Sequence, residues 1–400
     1  MPKSLRDLTG DLVGSRVLVR VDYNVPLSNG RVTDTMRIDA SLPTLQWLLD
    51  RGCRPVLLSH LGRPGGVPNS ALSLKPVAHA LGKKIEAEVR FVGACDSPEA
   101  VAASREIQDG GILLLENTRF LPGEMDNDPA LVERLETLGD FFVNDAFGTM
   151  HRAHASTAGV AQVLSPAVFG LLVEKELKAL SVLKDPPRPF VVAFGGAKIS
   201  DKIDLLNALL ARADRILVGG AMANTFLRAQ GYYMGGSLVE DDAVDLASAL
   251  LRQAGERIQL PTDVTVTSSI KDPTSSVCEV AIDQIPEGSA AVDIGTNTRE
   301  RYQQDLKECS SFFWNGPMGL FEDSRFTDGT FSLAKTAAEI TKRGALTVVG
   351  GGDSAAAVRL AGLSEAMSHV STGGGAALEY VSTGSLPGLI ALCSTPDTVT

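Results

Sequence analysis

The sequence predicts an α/β protein of two domains, each built on a parallel sheet with helices between its strands. Short β-branched runs alternate with helical stretches along almost all of the 400 residues, and this length is two to three times the common domain size. A proline-rich stretch, residues 185–189, divides the chain near its middle. The composition, 44% hydrophobic and 21% charged, is ordinary for a protein with a large core.

Four strand-like runs precede the proline-rich stretch and six follow it. In chain order they are residues 17–21, 55–59, 111–115 and 141–144, then 190–193, 215–218, 290–294, 311–314, 346–349 and 369–371. Parallel strands need crossover connections of a dozen or more residues, and the helical stretches between these runs provide them. Each half of the chain therefore predicts one parallel sheet.

A helix and a hinge are expected between the two sheets. Leucines at 177, 180 and 183 recur at helical spacing and predict a helix over residues 174–183. The prolines at 186, 187 and 189 should end it, because proline lacks an N–H and disfavours helix in the preceding residue.

We expect an N-terminal domain over residues 1–170, a linker helix and hinge over 171–188, and a C-terminal domain over 189–380. Residues 381–400 form a separate C-terminal segment, which contains no Lys or Arg and a single acid, Asp397. The sequence leaves two alternatives open for this segment, a loose tail and a segment that packs back on the N-terminal domain.

Charge and composition exclude several classes of protein. The chain has 37 Lys and Arg against 48 Asp and Glu, a net charge of −11, whereas nucleic-acid-binding domains are usually basic. No apolar run approaches the ~20 residues that span a bilayer, and the first residues lack the apolar region of a signal peptide. The five cysteines are widely spaced without a CxxC pair, which argues against a zinc site or disulfide framework. We expect a cytoplasmic protein with no nucleic-acid or membrane partner.

The loops that follow the predicted strands of the first half are basic. Ligands bind outside the carboxyl ends of strands in open parallel sheets. The cationic residues there are Arg20, Arg37, His60, Arg63, Arg119, His151, Arg152 and His154. A single arginine in a loop is often merely solvated, but a set that recurs at successive strand ends of an acidic protein predicts a phosphate or carboxylate site. Guanidinium groups bind both anions bidentately.

Glycines occupy the corresponding loops of the second half. They are residues 195–196, 219–220, 295, 316, 350–352 and 373–375. Tight turns without a ligand explain one or two such loops, whereas six favour a nucleotide-sized ligand with its phosphates at helix N-termini. Lys198 and Lys202 flank a predicted helix start, with Ser200 or Asp201 as its cap, and suit a polyphosphate. Asp353 either caps another helix or holds Mg²⁺, and the local sequence leaves both open.

Familiar catalytic motifs are missing from the sequence. The chain contains no Walker A loop, no protein-kinase signature, no His-Glu-x-x-His and no Gly-x-Ser-x-Gly. Residues 350–355 fit the dinucleotide fingerprint Gly-x-Gly-x-x-Ala, but the next predicted strand ends without the acid that should hold the ribose. An NAD(P)-dependent oxidoreductase and a non-catalytic nucleotide-binding or scaffolding protein are therefore alternatives that the residues leave open.

Eight segments, taken together, resemble the phosphoglycerate kinase family. They are residues 17–26 (VLVRVDYNVP), 59–64 (SHLGRP), 115–120 (LENTRF), 145–154 (DAFGTMHRAH), 195–204 (GGAKISDKID), 314–319 (WNGPMG), 350–354 (GGGDS) and 371–376 (STGGGA). The matches follow the family order over nearly the whole chain. Tyr23, Met150 and Ser354 stand where the family usually has Phe, Ala and Thr, and Ser354 keeps the hydroxyl.

The resemblance implies two Rossmann-like doubly wound parallel-sheet domains joined by a helix and hinge. It also implies the glycolytic reaction, in which the acyl phosphate of 1,3-bisphosphoglycerate passes reversibly to Mg-ADP and yields 3-phosphoglycerate and ATP. We expect a monomer in which hinge closure brings the substrates together for direct in-line transfer, with catalysis by positioning and charge neutralisation and no protein nucleophile.

The resemblance also implies roles for individual residues. The phosphoglycerate site would contain Arg20, Asp22, Tyr23, Asn24, Arg37, His60, Leu61, Gly62, Arg63, Arg119, His151, Arg152 and His154. The nucleotide site would contain Lys198, Lys202, Gly219, Gly220, Glu322, Gly351, Gly352, Asp353 and Ser354, with Asp353 towards Mg²⁺. Arg37, Lys198 and Lys202 would be catalytic, Arg37 and Lys198 by balancing the charge of the transition state.

Overall fold

The computed structural model of the chain describes residues 2–393. The chain divides into two compact units, with boundaries after Lys178 and after Gly384. The described part of the first unit is therefore residues 2–178 with 385–393, and the second unit is residues 179–384. Met1, in the predicted N-terminal domain, and residues 394–400, in the predicted C-terminal segment, lie outside the described residues.

The first unit contains eight strands and, before its boundary, six helices among the described residues. The strands are β1 (Arg16–Arg20), β2 (Leu27–Ser28), β3 (Arg31–Val32), β4 (Arg54–Leu58), β5 (Val89–Val92), β6 (Ile112–Leu115), β7 (Phe141–Asn144) and β8 (Ala167–Phe169). The helices are α1 (Met36–Leu49), α2 (Lys75–Gly82), α3 (Pro98–Glu106), α4 (Pro129–Glu136), α5 (Val160–Val163) and α6 (Leu171–Ser181).

Six of these strands form a parallel sheet in the order β5-β6-β4-β1-β7-β8, while β2 and β3 form a small antiparallel ribbon. The four strands predicted in this half are confirmed as β1, β4, β6 and β7, in which nearly every residue is buried. Strands buried on both faces read as continuous apolar runs, which is why they could be found. Two strands were not predicted, β5 and β8, a partly exposed strand and a three-residue strand at the two sheet edges.

Local sequence fixes where helices begin in this unit. The side chains of Ser97 and Asp128 accept hydrogen bonds from the first-turn N–H groups of α3 and α4. Each cap is followed by a proline, whose fixed φ suits the first helical position and whose missing N–H costs nothing there.

The second unit contains nine strands and seven helices within the described residues. The strands are β9 (Phe190–Phe194), β10 (Arg215–Val218), β11 (Ile258–Gln259), β12 (Asp263–Thr267), β13 (Val277–Ala281), β14 (Ala290–Ile294), β15 (Ser311–Asn315), β16 (Leu346–Gly350) and β17 (His369–Val370). The helices are α7 (Ile203–Leu210), α8 (Gly220–Ala229), α9 (Val244–Ala254), α10 (Thr296–Lys307), α11 (Asp328–Lys342), α12 (Gly352–Leu360) and α13 (Gly375–Thr383).

The larger sheet of this unit is entirely parallel, in the order β11-β10-β9-β15-β16-β17. Counted along the chain this is the order 3-2-1-4-5-6, which is that of dinucleotide-binding doubly wound sheets. After β9 the chain first adds β10 and β11 on one side of this strand, and later adds β15, β16 and β17 on its other side. The predicted Rossmann-like fold class is therefore confirmed.

One predicted strand belongs elsewhere. Residues 290–294 do form a strand, β14, but it lies in a separate antiparallel sheet of order β13-β12-β14. This small sheet has its own core, which includes Leu227 and Val264. The interpretation of Gly295 as part of a ligand loop on the parallel sheet was wrong. A Cβ at Gly295 would lie 2.4 Å from Cγ of Asp263, so close packing explains this glycine.

The helix predicted over residues 174–183 is confirmed as α6, which starts three residues before the prediction and runs across the boundary after Lys178. A 3₁₀ turn, Val182–Lys184, follows it, and the proline-rich stretch leads directly into β9. A last helix, α14 (Pro387–Leu392), belongs to the first unit, where the Gly388 N–H donates to the Met150 carbonyl at 2.8 Å. Among the described residues, no helix is long and apolar enough to cross a membrane.

Candidate active site

The cationic side chains of the first unit follow the carboxyl ends of its central strands. Arg20 ends β1, His60 and Arg63 follow β4, and Arg119 lies in a 3₁₀ turn, Thr118–Phe120, after β6. His151, Arg152 and His154 lie in the long loop after β7, and Arg37 is in the first turn of α1. Parallel strands present their carboxyl ends at one sheet edge, so eight residues distant in sequence share one region, called here the basic patch.

Asp22 organises one side of this patch. Its carboxylate accepts a hydrogen bond from the Arg37 guanidinium and lies 3.9 Å from Nδ1 of His60. Burial acts to raise the pKa of Asp22, but the charges of Arg37 and Arg20, with a hydrogen bond from the Asn24 N–H, outweigh it and hold that pKa below its usual value. Asp22 is therefore an anion within a cationic site, and it orients Arg37.

Arg119 and Asn24 anchor the glycine loop after β4. Arg119 donates from a terminal nitrogen to the Gly62 carbonyl at 2.6 Å, and the Gly62 N–H donates to Oδ1 of Asn24 at 2.9 Å. Burial, followed by the charges of Arg152 and Arg20, lowers the pKa of Arg119 to about 10. These guanidinium groups are close enough to repel one another, so an anion bound beside Arg119 and Arg152 would be favourable.

The three histidines of the patch do not supply its positive charge. Burial, aided by the surrounding arginines, lowers the pKa of His154 to about 4 and that of His60 well below its usual value. Burial and the charge of Arg152 lower the pKa of His151 as well. At neutral pH these rings are therefore uncharged hydrogen-bonding groups, and the arginines carry the charge.

Three residues of the predicted phosphoglycerate site direct their side chains into the protein. The hydroxyl of Tyr23 is in hydrogen-bonding contact with Oγ of Ser41 at 2.8 Å in the core, and Leu61 is also a core residue. Arg20 is 1% exposed, and its guanidinium contacts Ser156, the Val21 carbonyl and His60. From these positions Tyr23 and Leu61 can offer only backbone groups to a ligand, and the Arg20 guanidinium is occupied by contacts within the protein.

Asn117 is a residue of this site to which the sequence analysis gave no role. Its buried amide donates to the carbonyls of Leu61 and Leu72 at 2.7 and 3.0 Å, and its Oδ1 accepts from the N–H groups of Leu61 and Arg119. Asn117 thus ties the loops after β4 and β6 together. A polar residue two positions before a site arginine, directly after a buried strand, is the signal that could have identified it.

In the second unit, the glycines at the strand ends pack directly against one another. A Cβ at Gly195 would lie 1.9 Å from the Pro317 carbonyl oxygen, and one at Gly219 would lie 2.6 Å from Sδ of Met318. Gly220 has φ +64°, where a Cβ would meet Gly196 backbone atoms at 2.8 Å. Close contact between the loops after β9, β10 and β15 therefore requires these glycines, independently of any ligand.

Lys202 lies beneath this glycine cluster. Its Nζ donates to the Gly195 carbonyl at 2.8 Å and to the Asn315 carbonyl at 3.4 Å. Burial lowers its pKa to about 8, against the opposing charges of Asp353 and Asp201. The third N–H of the ammonium group remains for a ligand, and Asp353 lies within its electrostatic reach.

Lys198 has an exposed side chain beside a turn that a distant glutamate caps. The Glu240 carboxylate accepts hydrogen bonds from the N–H groups of Ile199 and Ser200 at 2.8 and 3.3 Å and from the Ser200 hydroxyl. The prediction that Ser200 or Asp201 caps α7 was wrong. The helix begins at Ile203, no side chain caps it, and the preceding 3₁₀ turn is held by Glu240 from another loop.

The start of α12 presents backbone N–H groups at the carboxyl end of β16. Gly351 is the N-cap with φ +93°, and Gly352 and Asp353 form the exposed first turn. Ser354 is fully buried, and its hydroxyl oxygen accepts from the Gly316 N–H at 2.5 Å. Glu322 is exposed in the loop after β15. Among residues 2–393, no group of three or more His, Cys, Asp or Glu side chains could hold a metal ion.

Comparison with known proteins identifies the family. The family model described as phosphoglycerate kinase matches residues 5–384. The chain belongs to the phosphoglycerate kinase family. The phosphoglycerate kinase of Chlorobium phaeobacteroides is 47% identical over 395 residues, covering 98% of this chain and 99% of that protein. The phosphoglycerate kinase of Chloroflexus aurantiacus is 50% identical over 398 residues, covering 98% of both.

Solved structures of phosphoglycerate kinases have the same fold. The structure from Coxiella burnetii superposes with a TM-score of 0.87 at 38% identity, covering 98% of this chain and 99% of that one. The structure from Pyrococcus horikoshii gives a TM-score of 0.84 at 30% identity, covering 98% of both chains. Membership of the phosphoglycerate kinase family over residues 5–384 decides against the oxidoreductase alternative, which rested on residues 350–355 alone.

Proposed function

We propose that this chain catalyses the reversible transfer of the acyl phosphate of 1,3-bisphosphoglycerate to Mg-ADP, giving 3-phosphoglycerate and ATP. The observation that carries this proposal is the pairing of two strand-end sites in one member of the phosphoglycerate kinase family. The first unit offers several guanidinium groups to a small acid that carries a phosphate and a carboxylate. The second offers glycine loops, a half-buried lysine and a helix N-terminus to nucleotide phosphates.

In the basic patch, Arg63, Arg119 and Arg152 are proposed to hold the phosphate of 3-phosphoglycerate. Arg37, oriented by Asp22, faces the carboxyl end of the molecule. The neutral rings of His60 and His151 supply hydrogen bonds without adding charge. Bidentate guanidinium contacts fix an anion in position as well as neutralising it, and positioning is the main requirement of this reaction.

In the second unit, the free N–H groups at the start of α12 are proposed to receive the nucleotide phosphates. Lys202 donates its remaining N–H to the transferring phosphoryl group. The exposed Lys198 stabilises the negative charge that develops on this group during transfer. Gly219, Gly220 and Glu322 are placed on the adenosine side. Mg²⁺ arrives with the nucleotide as part of the substrate, and Asp353 is the carboxylate proposed to contact it.

The transfer itself needs no protein nucleophile. In the direction of ATP use, a carboxylate oxygen of 3-phosphoglycerate bonds to the γ-phosphorus as the bond to the ADP oxygen breaks. Arg37 and Lys198 balance charge on the equatorial oxygens, which is the chief means of catalysing phosphoryl transfer. Because the two ligands are held by separate units, closure about the segment containing α6 and residues 182–189 is part of the proposal.

We also propose that the protein is a monomer and is located in the cytoplasm. All five cysteines are free thiols, which suits a reducing compartment. Sedimentation of the purified chain and fractionation of the source cells test these two points.

Direct assay tests the proposed reaction. Purified protein is mixed with Mg-ATP and 3-phosphoglycerate, ADP is measured, and hydroxylamine traps the acyl phosphate. We expect both products in equal amounts, and neither when 3-phosphoglycerate is omitted. ADP release without acyl phosphate, or no product at all, would overturn the proposal.

A further inference from the structure

A buried carboxylate lies behind the basic patch. Glu124 follows the 3₁₀ turn that carries Arg119, and its side chain is fully buried. Its carboxylate accepts three hydrogen bonds, from the Ser156 hydroxyl at 2.5 Å, the Ser156 N–H at 3.0 Å and the Thr118 hydroxyl at 3.2 Å. Neither the motifs nor the proposed reaction gives this residue a role.

These contacts join the loops that carry the patch. Thr118 directly precedes Arg119, so one oxygen of Glu124 holds the loop after β6. Ser156 lies two residues after His154, and the Ala155 N–H donates to the Glu124 backbone carbonyl at 2.9 Å. The same glutamate therefore fixes the loop after β7.

The third connection runs through a side-chain relay. The Ser156 hydroxyl donates to Glu124 and accepts from Nε of Arg20 at 2.9 Å. Arg20 in turn contacts Nδ1 of His60 at 3.2 Å. Since a guanidinium group can only donate, Nδ1 is the acceptor, and the neutral His60 ring carries its proton on Nε2.

The relay also places a negative charge near the buried Arg20. A buried guanidinium group without a counter-charge is costly, and burial lowers the pKa of Arg20. The charges of Glu124 and Asp22 oppose this effect. Asp22 also pairs with Arg37, whereas the described contacts of Glu124 are with neutral groups of the protein interior. Glu124 can therefore support the cation of Arg20 while Asp22 serves the ligand side.

We propose that Glu124 is a positioning residue of the 3-phosphoglycerate site, which acts through Ser156 and Arg20 on His60 and through Thr118 on Arg119. This inference rests on the proposed function. By this inference, one carboxylate keeps the loops after β4, β6 and β7 in fixed positions relative to one another. The nucleotide site, built entirely from the second unit, is independent of it.

Calorimetric binding of 3-phosphoglycerate and of ADP to the full chain tests the role. We expect Glu124→Gln to weaken 3-phosphoglycerate binding by about tenfold or more, because it removes the charge and one acceptor, and to leave ADP binding unchanged. In steady state, the KM for 3-phosphoglycerate should rise while the KM for ATP is constant. A fall in Tm with both affinities unchanged would reduce Glu124 to a merely structural residue and overturn the proposal.

Ser156→Ala supplies a second route to the same result. It breaks the relay while the glutamate remains, so it should weaken 3-phosphoglycerate binding several-fold, and the double variant should bind no worse than Glu124→Gln alone. Unchanged binding by Ser156→Ala, or strictly additive losses, would contradict the relay. If Glu124→Gln does not fold, Ser156→Ala alone decides.

Asp140→Asn is the matched control. Asp140 pairs with Arg16 at the amino end of β1, the same strand whose carboxyl end carries Arg20. We expect it to change stability without changing either affinity. Failure of the proposed function is distinguishable, because the unaltered chain would then neither bind nor turn over 3-phosphoglycerate.

Discussion

At the scale of single residues, the fold places the pKa of Lys202 in a range where pH and a bound ligand can change its charge. Burial lowers its pKa to about 8 in the free protein. Below that pH the ammonium form predominates, and above it the neutral amine does. Nucleotide phosphates favour the charged form, so bound nucleotide should raise this pKa again.

Proton uptake on ADP binding therefore depends on pH. At pH 9 we expect binding to take up about one proton per ADP, since Lys202 passes from largely neutral to charged, and at pH 6.5 we expect none from this group. Calorimetry in buffers of different ionisation enthalpy measures the uptake. Lys202→Met should abolish it and Lys342→Met, at an exposed lysine at the end of α11, should not. Equal uptake at both pH values would contradict the shifted pKa.

Lys198 tests the chemical step. We expect Lys198→Ala to lower kcat by about 10²-fold or more and to raise the KM for ATP far less. The reason is that the charge of Lys198 is proposed to act mainly in the transition state. Steady-state kinetics in both substrates measures the two effects, with Lys342→Ala as the control. An unchanged kcat would remove Lys198 from the chemistry.

At the scale of elements, the glycines of the second unit fall into two kinds. Gly195 is packed so tightly that a Cβ would lie 1.9 Å from the Pro317 carbonyl oxygen. Gly352, at the start of α12, is exposed, and an added Cβ there would have no heavy atom within 4 Å. The same residue type thus joins strand-end loops in one place and leaves room for a ligand in the other.

A pair of alanine substitutions separates these roles. Gly195→Ala should cost about 1–3 kcal/mol of unfolding free energy, because backbone must move to admit the methyl group. Gly352→Ala should leave Tm unchanged or slightly raised, since alanine is the better helix former by about 1 kcal/mol. It should nevertheless weaken ADP binding. Thermal unfolding and calorimetry measure both, and full ADP affinity in Gly352→Ala would contradict close approach of the nucleotide there.

At the scale of the whole molecule, each unit buries a carboxyl group at the start of a helix. Asp145 accepts from the Leu172 and Val173 N–H groups of α6, and Asp293 accepts from the Gly329 N–H of α11. Burial raises the pKa of each to about 7, against these hydrogen bonds. A raised carboxyl pKa contributes stability that is complete below the unfolded value near 4 and is lost as the pH rises through 7.

The stability of both units should therefore fall between about pH 4 and pH 7 by this route and change little above that range. Asp145→Asn and Asp293→Asn remove the ionisation while keeping an acceptor oxygen. We expect each variant to gain Tm relative to the parent by more than about 2 °C at pH 8 and to show little gain at pH 5. Asp126→Asn, at an exposed position of the first unit, is the control. A gain that does not depend on pH would contradict the raised pKa values.

Much of the architecture could be predicted from sequence for a clear reason. The central strands are buried along nearly their whole length, so each reads as a short apolar run whatever it packs against. Edge strands such as β5 carry no such signal. The antiparallel pairing of β14 was missed because a run of five residues does not reveal its neighbours.

The candidate site divides in the same way. Residue types and strand-end spacing were enough to predict a cluster of arginines, a series of glycine loops and two lysines, because the topology of parallel sheets brings strand ends together. The sequence by itself determined the family, the fold class and the chemical character of both sites. The tertiary structure alone decided that the histidines are neutral, that Arg20 and Tyr23 face inward, that Glu240 caps the Lys198 turn and that Glu124 lies behind the patch. Burial and hydrogen bonding between distant segments set these properties, and neither is encoded in local spacing.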